Sequence, residues 1–345
     1  MPNTNINLEV VSMVLPVPGI LKSSPFIRRH PANPILDADR VPYPTALVFN
    51  AGVTKFNGQY VMVFRNDYGS RSEQTLEPHS TTDLGIAYSR DGIHWEAGPK
   101  PCFKMNDGEI IRAYDPRLTV MDGRCYMCFA VDTQHGIRGG IAVTDDFENF
   151  EVLSLSTPDL RNMVLFPEKI DGKYVRLERP FTVYSRGGAD RFDTWISDSP
   201  DLKYWGNSDL LLAVEHVPFA NDKIGPAAPP IKTEIGWLTT FHAVDIDPAR
   251  GKNGWEPTWK KRYTAGLMLL DLHNPKKVIG MYQEPLLAPE ANYEIDGGFR
   301  NDVIFPGGMI LEPSGEVKIY YGAADAVVCL ATAHVDDLVQ LCLKA

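Results

Sequence analysis

The sequence predicts an all-β, five-bladed β-propeller. Three observations predict it: a turn-and-strand unit that recurs five times, a second hairpin pattern after each copy, and few helix signals. The first unit reads FNGQYVMVFRN (Phe56 to Asn66), MDGRCYMCFAV (Met121 to Val131), IDGKYVRLERP (Ile170 to Pro180), EIGWLTTFHAV (Glu234 to Val244) and PSGEVKIYYGA (Pro313 to Ala323). Each opens on a turn with a glycine: Gly58, Gly123, Gly172, Gly236 and Gly315. Glycine supplies the positive φ of a tight hairpin without a steric penalty. The spacings of 65, 49, 64 and 79 residues suit an array of hairpin units set radially about an axis.

The second pattern reads LGIAYSRDGIHWE (Leu84 to Glu96), GGIAVTDDFENFE (Gly139 to Glu151), DTWISDSPDLKYW (Asp193 to Trp205), AGLMLLDLHNPKKVI (Ala265 to Ile279) and CLATAHVDDLVQL (Cys329 to Leu341). In most copies an apolar strand meets a polar turn with Asp, Asn or Pro. Two hairpins per unit give four strands per blade, and five units give five blades. A β-sandwich with similar turns is the competing architecture. Asp91, Asp122 and Asp171 read as turn residues. A short terminal helix is expected over 336–344. Residues 1–25 precede the blades and carry Pro16, Pro18 and Pro25, so they read as an arm; residues 26–345 read as one propeller domain.

The chain has 345 residues, of which 44% are hydrophobic, ample for a core. A formal charge of −10 argues against nucleic acid, which needs a basic face. It leaves room for a local cationic pocket. No apolar run reaches the length of a membrane-spanning helix. The segment from Val10 to Leu21 is broken by prolines and lacks a basic start, so it makes a poor signal peptide. Five cysteines, an odd number, suit a reducing compartment, hence a cytoplasmic location. Cys125 and Cys128 form C-x-x-C, but residues three apart on a strand face opposite sides. No metal-ligand spacing is evident, and no cofactor is expected.

Polar residues inside apolar blade strands are the candidates for chemistry, because a lone buried charge is costly unless paired. Asn50, Arg65, Asn66, Tyr114, Asp115, Arg117, Arg161, Asn162, Glu178, Arg179, Asp222, Lys223, His242 and Asp325 are of this kind. Their cations outnumber their carboxylates, as in a site for an anion. Arg117 and Arg179 could equally be structural ion pairs.

The segments FNAGV, YDPR, RNMVLFPEKIDGKY, LERP, SDSPDLKYWG, KIGPAAPPIKTEIGWL, YTAGLMLLDLHNPKKVIG and IYYGAAD, in this order, resemble glycoside hydrolase family 130. The resemblance covers about Asn33 to Leu341 and implies a five-bladed propeller. It also implies a β-mannoside phosphorylase, which uses inorganic phosphate to release α-D-mannose 1-phosphate with inversion. By that resemblance Asp115 is the general acid. It must start protonated, and it passes its proton through the sugar's own 3-hydroxyl. Arg161, Asn162, Arg179, Lys223, His242 and Tyr263 match phosphate contacts. Asn50, Arg65, Tyr114 and Asp325 match residues around the mannose. Homo-oligomers are implied too, with phosphate and a small oligosaccharide as the partners.

Two other readings stay open: a β-mannoside hydrolase, in which Asp325 would be the base, and a non-catalytic sugar-binding propeller. The full phosphate set favours phosphorolysis. Two stretches depart from expectation, Asn66 to Gly85 and His242 to Tyr263. Trp255 and Trp259 in the second could stack on an acceptor sugar or anchor the loop.

Overall fold

The computed structural model describes residue 17 and residues 19–70, 81–181, 192–250 and 259–344. Strand β1 (Arg28–Arg29) comes first in the chain but belongs to the last blade. Blade I holds β2 (Leu47–Phe56), β3 (Gln59–Tyr68), β4 (Thr81–Ser89) and β5 (Glu96–Ala97). Blade II holds β6 (Ile110–Met121), β7 (Arg124–Thr133), β8 (Gly136–Thr144) and β9 (Glu151–Leu155). Blade III holds β10 (Leu160–Leu165), β11 (Tyr174–Pro180), β12 (Thr194–Ser199) and β13 (Gly206–Leu212). In blade IV, β14 (Lys223–Pro226) and β15 (Ile231–Lys232) both pair with β16 (Gly236–Ile246), which is followed by β17 (Lys261–Asp271) and β18 (Val278–Met281). After a short helix α1 (Asn292–Ile295), blade V holds β19 (Ile304–Leu311), β20 (Glu316–Ala323) and β21 (Val327–His334), and helix α2 (Val335–Leu343) ends the chain. Five antiparallel sheets in a ring make the five-bladed propeller.

The turns show why these residues fold this way. Asn57–Gly58, Asp122–Gly123 and Asp171–Gly172 each place two successive residues at positive φ, the type I′ geometry that suits twisted strands. Gly315 also sits at positive φ. Gly236 departs from the expectation: it opens β16 with no positive φ. Glycine is required there for another reason, because a Cβ would lie 2.3 Å from the carbonyl oxygen of Leu270. The second hairpins repeat one device. Asp91, Asp146, Asp201 and Asp271 each use Oδ1 to accept two N–H groups, two and three residues ahead. This side-chain turn is the one Asp makes most readily.

Blade V corrects the sequence reading. Its fifth copy, Cys329 to Leu341, does not form a second hairpin. The chain passes from β21 into α2, and the fourth strand is β1, paired as Arg28 with Thr332 and Arg29 with Ala331. Arg29 bridges the seam with Nε 2.7 Å and Nη2 2.9 Å from the fully buried Glu294. Glu294 also accepts from the Tyr321 hydroxyl and from the N–H groups of Glu290 and Ala291, so its buried charge is satisfied.

One apolar cluster fills each interface between neighbouring blades. Val63 and Ile86 of blade I meet Leu118 and Met127 of blade II. Ile141 meets Leu165, Leu177 meets Phe241, Leu267 meets Ile319, and Met62 meets Tyr320 to close the circle. Cys125 and Cys128 are buried and unpaired. They enter different clusters on opposite faces of β7, as strand alternation requires. Of the arm, residues 1–16 and 18 lie outside the described residues. Leu21 packs on the blade III–IV cluster, and the Gly19 carbonyl accepts from Arg262 at 2.8 Å. Among the described residues no helix is long and apolar enough to cross a membrane.

Candidate active site

The first strand of each blade lines the axis, and three of these strands break register where they reach the site. Asn50, Asp115 and Asn162 have φ of 47°, 54° and 56°. They fall within the bulges of β2, β6 and β10. A bulge re-aims one side chain out of the sheet's alternation. The left-handed conformation is most accessible to Asn and Asp among residues with a Cβ. Blade V contributes Asp325 from the turn between β20 and β21, also at positive φ.

These residues meet in one cavity of about 220 Å³. All eleven residues expected in the site line it: Asn50, Arg65, Tyr114, Asp115, Arg161, Asn162, Arg179, Lys223, His242, Tyr263 and Asp325. Arg112, Arg300, Val303 and Phe305 line it too and were not expected. A larger groove, about 980 Å³, lies elsewhere, against α2 and the turns at 232–235 and 311–315, and none of the candidates reaches it.

One end of the cavity is built around two carboxylates. Asp115 Oδ1 accepts from Asn50 Nδ2 at 3.1 Å and lies 3.7 Å from Arg65 Nη1. Arg65 is held by a two-pronged pair with Asp67, at 2.9 and 2.6 Å, and Thr82 donates to the same carboxylate. Asp325 pairs with Arg300 at 3.1 Å. Burial pushes the Asp325 carboxyl up, against the opposing pull of Arg300 and Arg65. These carboxylates and donors present hydrogen-bond acceptors and donors side by side, a pattern able to meet hydroxyl groups.

The other end is cationic. Arg179 is 1% exposed. Its Nη1 lies 3.1 Å from His242 Nε2, so the guanidinium donates and the imidazole accepts. Arg161 Nη1 reaches the Tyr114 hydroxyl at 3.5 Å. Among the described residues neither arginine has a carboxylate within ion-pair distance, and Arg161 Nε, Arg179 Nε and His242 Nδ1 are buried without a partner. Lys223 stands 3.9 Å from Asp222, which Lys261 holds more closely at 2.9 Å. His242 packs between Phe305 and Tyr263, with Trp259 stacked beyond Tyr263. Burial, then the neighbouring cations, brings Arg179 down to about 9 and puts Lys223 and His242 well below their ordinary values. Buried cations in mutual repulsion with empty donors form a site built for an anion.

Besides Asp222, three candidates lie outside the cavity lining and take other roles. Arg117 donates to the Ala227 carbonyl at 2.6 Å and lies over Phe305, tying blade II to blade IV. Glu178 pairs with Arg176 at 2.6 Å, outside the cavity. Asn66 donates to Asp83 at 2.9 Å. Trp259 donates to the Asn301 carbonyl and carries Arg300 on its ring, so it anchors its segment and walls the cavity at once. Trp255 and residues 71–80 lie outside the described residues.

The family profile described as beta-1,4-mannooligosaccharide phosphorylase, Glyco_hydro_130, matches residues 27–344. The chain belongs to glycoside hydrolase family 130. It is 34% identical to a β-1,4-mannooligosaccharide phosphorylase of Ruminococcus albus over 91% of this chain and 90% of that one. It is also 34% identical to a β-1,2-mannobiose phosphorylase of Listeria innocua, over 78% and 72%. A solved Listeria innocua β-1,2-mannobiose phosphorylase with β-1,2-mannobiose superimposes with a TM-score of 0.76 at 27% identity, covering 92% of this chain and 99% of that one. The two relatives at equal identity act on different linkages, so overall similarity to them does not select one.

Proposed function

We propose that the protein cleaves the terminal β-mannosyl bond of a small β-mannoside by inverting phosphorolysis and releases α-D-mannose 1-phosphate. Phosphorolysis of β-mannosides is the activity named for the family-130 relatives that match most of this chain, and the chain is a β-mannoside phosphorylase on that ground. The observation that carries the finer reading is the pair Arg161 and Arg179, which line the cavity that holds Asp115, have no carboxylate within ion-pair distance among the described residues, and keep buried Nε groups without a partner. An inverting hydrolase needs a second carboxylate to activate water. Phosphate is already an anionic nucleophile and needs cations to hold it. A phosphate oxygen forms the new bond to the anomeric carbon as the glycosidic bond breaks. Asp115 supplies the proton that the departing oxygen gains, relayed through the sugar 3-hydroxyl. Asn50, Arg65 and Asp325 hold the mannose, and Asn162, Lys223, His242 and Tyr263 complete the phosphate end. Phosphate is a co-substrate, and no cofactor enters the reaction.

Incubation with β-1,2-mannobiose, β-1,4-mannobiose or mannosylglucose tests this directly. Mannose 1-phosphate is expected with phosphate present and no cleavage without it. Equal turnover in both, with free mannose released, would overturn the reading.

The phosphate end also sets a pH dependence. A base lowered by burial and repulsion loses its charge earlier as pH rises. Affinity for phosphate is therefore expected to fall as pH rises, because burial first and the neighbouring cations second hold both Arg179 and Lys223 below their ordinary values. KM for phosphate is expected to rise ~10-fold towards alkaline pH while KM for the mannoside stays level. A level KM for phosphate over that range would count against these cations as its ligands.

A further inference from the structure

We propose that Asp132, on β7 and outside the cavity lining, is a positioning residue for phosphate that acts through the Tyr114 hydroxyl. The proposal rests on the phosphorolysis reading and deepens it. Asp132 sits opposite Arg112 in the β6–β7 ladder. Its Oδ2 accepts from Arg112 Nε at 2.6 Å, and its Oδ1 accepts from the Tyr114 hydroxyl at 2.7 Å. A phenol has one proton to give. With that proton committed to Asp132, the Tyr114 oxygen turns only lone pairs towards the cavity. Arg161 Nη1 meets them at 3.5 Å, a distance that holds direction more than strength. The ring of Tyr114 is fixed as well, with the Arg65 and Arg112 guanidinium carbons 5.2 and 5.1 Å from its centroid.

The result is a continuous line, Arg112–Asp132–Tyr114–Arg161, which leaves the cavity lining only at Asp132 and ends among the cations. It passes through the residue next to the acid Asp115. Tyr114 cannot donate to a phosphate oxygen while Asp132 holds its proton, so its part in phosphate binding is to aim Arg161. The carboxylate is essential to this polarity. In Asp132→Asn, the amide oxygen must face the Arg112 N–H, which leaves the amide N–H₂ facing the Tyr114 oxygen. That group then donates where the carboxylate accepted. The phenol proton is released towards Arg161, and donor meets donor. Asp132→Asn is thus close to isosteric and reverses one hydrogen bond.

The experiment compares the wild type with Asp132→Asn, Tyr114→Phe and the double variant, by steady-state kinetics in both substrates and by calorimetric titration of inorganic phosphate into the free enzyme. Asp132→Asn is expected to raise KM and Kd for phosphate ~10-fold with KM for the mannoside within ~2-fold. Tyr114→Phe removes the same relay at its middle. The double variant is expected to bind phosphate no worse than the weaker single variant, the non-additivity of residues acting in one line. A residue that merely supports the fold would lower thermal stability and weaken both substrates in parallel, and its effect would multiply with that of Tyr114→Phe; that outcome overturns the proposal. So does unchanged phosphate affinity in Asp132→Asn when the wild type is phosphate-dependent. Phosphate-independent cleavage by the wild type would instead remove the phosphorolysis reading, and this inference with it.

Discussion

Asp115→Asn is expected to fold, to bind mannoside, and to lose ~10³-fold or more of kcat, in the upper part of the range that a positioned acid supplies. Asparagine accepts the positive φ of 54° at this position almost as readily as aspartate does, so the bulge in β6 survives. The amide oxygen can still accept from Asn50 Nδ2. What disappears is the acidic proton that the proposed reaction gives to the departing sugar oxygen. Alanine would be a worse probe, because it adds backbone strain to the lost chemistry. The measurement is single-turnover phosphorolysis of mannobiose alongside a thermal melt. Turnover near that of the wild type would move the acid elsewhere. Asp325, whose carboxyl is pushed up by burial in the same cavity, would be the next residue to test.

Arg179→Ala should act on the other substrate. It is expected to lower kcat/KM for phosphate ~10²-fold, roughly 2.7 kcal/mol of transition-state binding, with KM for the mannoside little changed. The side chain is 1% exposed and unmatched by any carboxylate among the described residues, so its removal deletes charge that only the anion can use. It also takes the donor away from His242 Nε2. Arg179→Lys should recover little, since a point charge cannot address His242 and an anion at once as a planar fork does. Steady-state kinetics with phosphate varied at saturating mannoside decide the matter. A variant within ~3-fold of the wild type would show that Arg179 is structural.

Much of this architecture is legible in the chain because its turns are chemically explicit. Asn57–Gly58, Asp122–Gly123 and Asp171–Gly172 announce hairpins, and the aspartates at 91, 146, 201 and 271 announce the second turn of blades I to IV. Gly236 looked like a member of the first set, but its reason is the nearby Leu270 carbonyl, a contact that sequence does not display. The closing strand Arg28–Arg29 was illegible for a similar reason: two residues carry no periodicity. In the site, Arg161, Arg179, Lys223 and His242 stood out because charge inside an apolar strand demands an explanation. Arg112 and Arg300 did not. Arg112 follows the loop-like MNDGEII and has Asp132 as its partner. Arg300 lies in GGFRND, which reads as a turn, and its ring contacts with Trp259 and Phe299 exist only in three dimensions. A cationic residue beside an aromatic one, as in Phe299–Arg300, was the available signal.

The seam between blades I and V has a consequence for how the enzyme comes into being. The seam runs beneath the Asn50 end of the cavity: a Cβ on Gly322 of blade V would come within 2.4 Å of Asn50 Oδ1 in blade I. Asn50 and Arg65 are neighbours within blade I, and Asp325 joins them only when the ring shuts. During synthesis β1 emerges first and must wait, unpaired, until β21 and Glu294 have left the ribosome. A nascent chain with four finished blades carries Asp115, Arg161, Arg179, Lys223 and His242 yet lacks Asp325 and with it one wall of the cavity. Closure of the ring thus completes the cavity in one step, and the arrival of Asp325 beside Asn50 and Arg65 reports it.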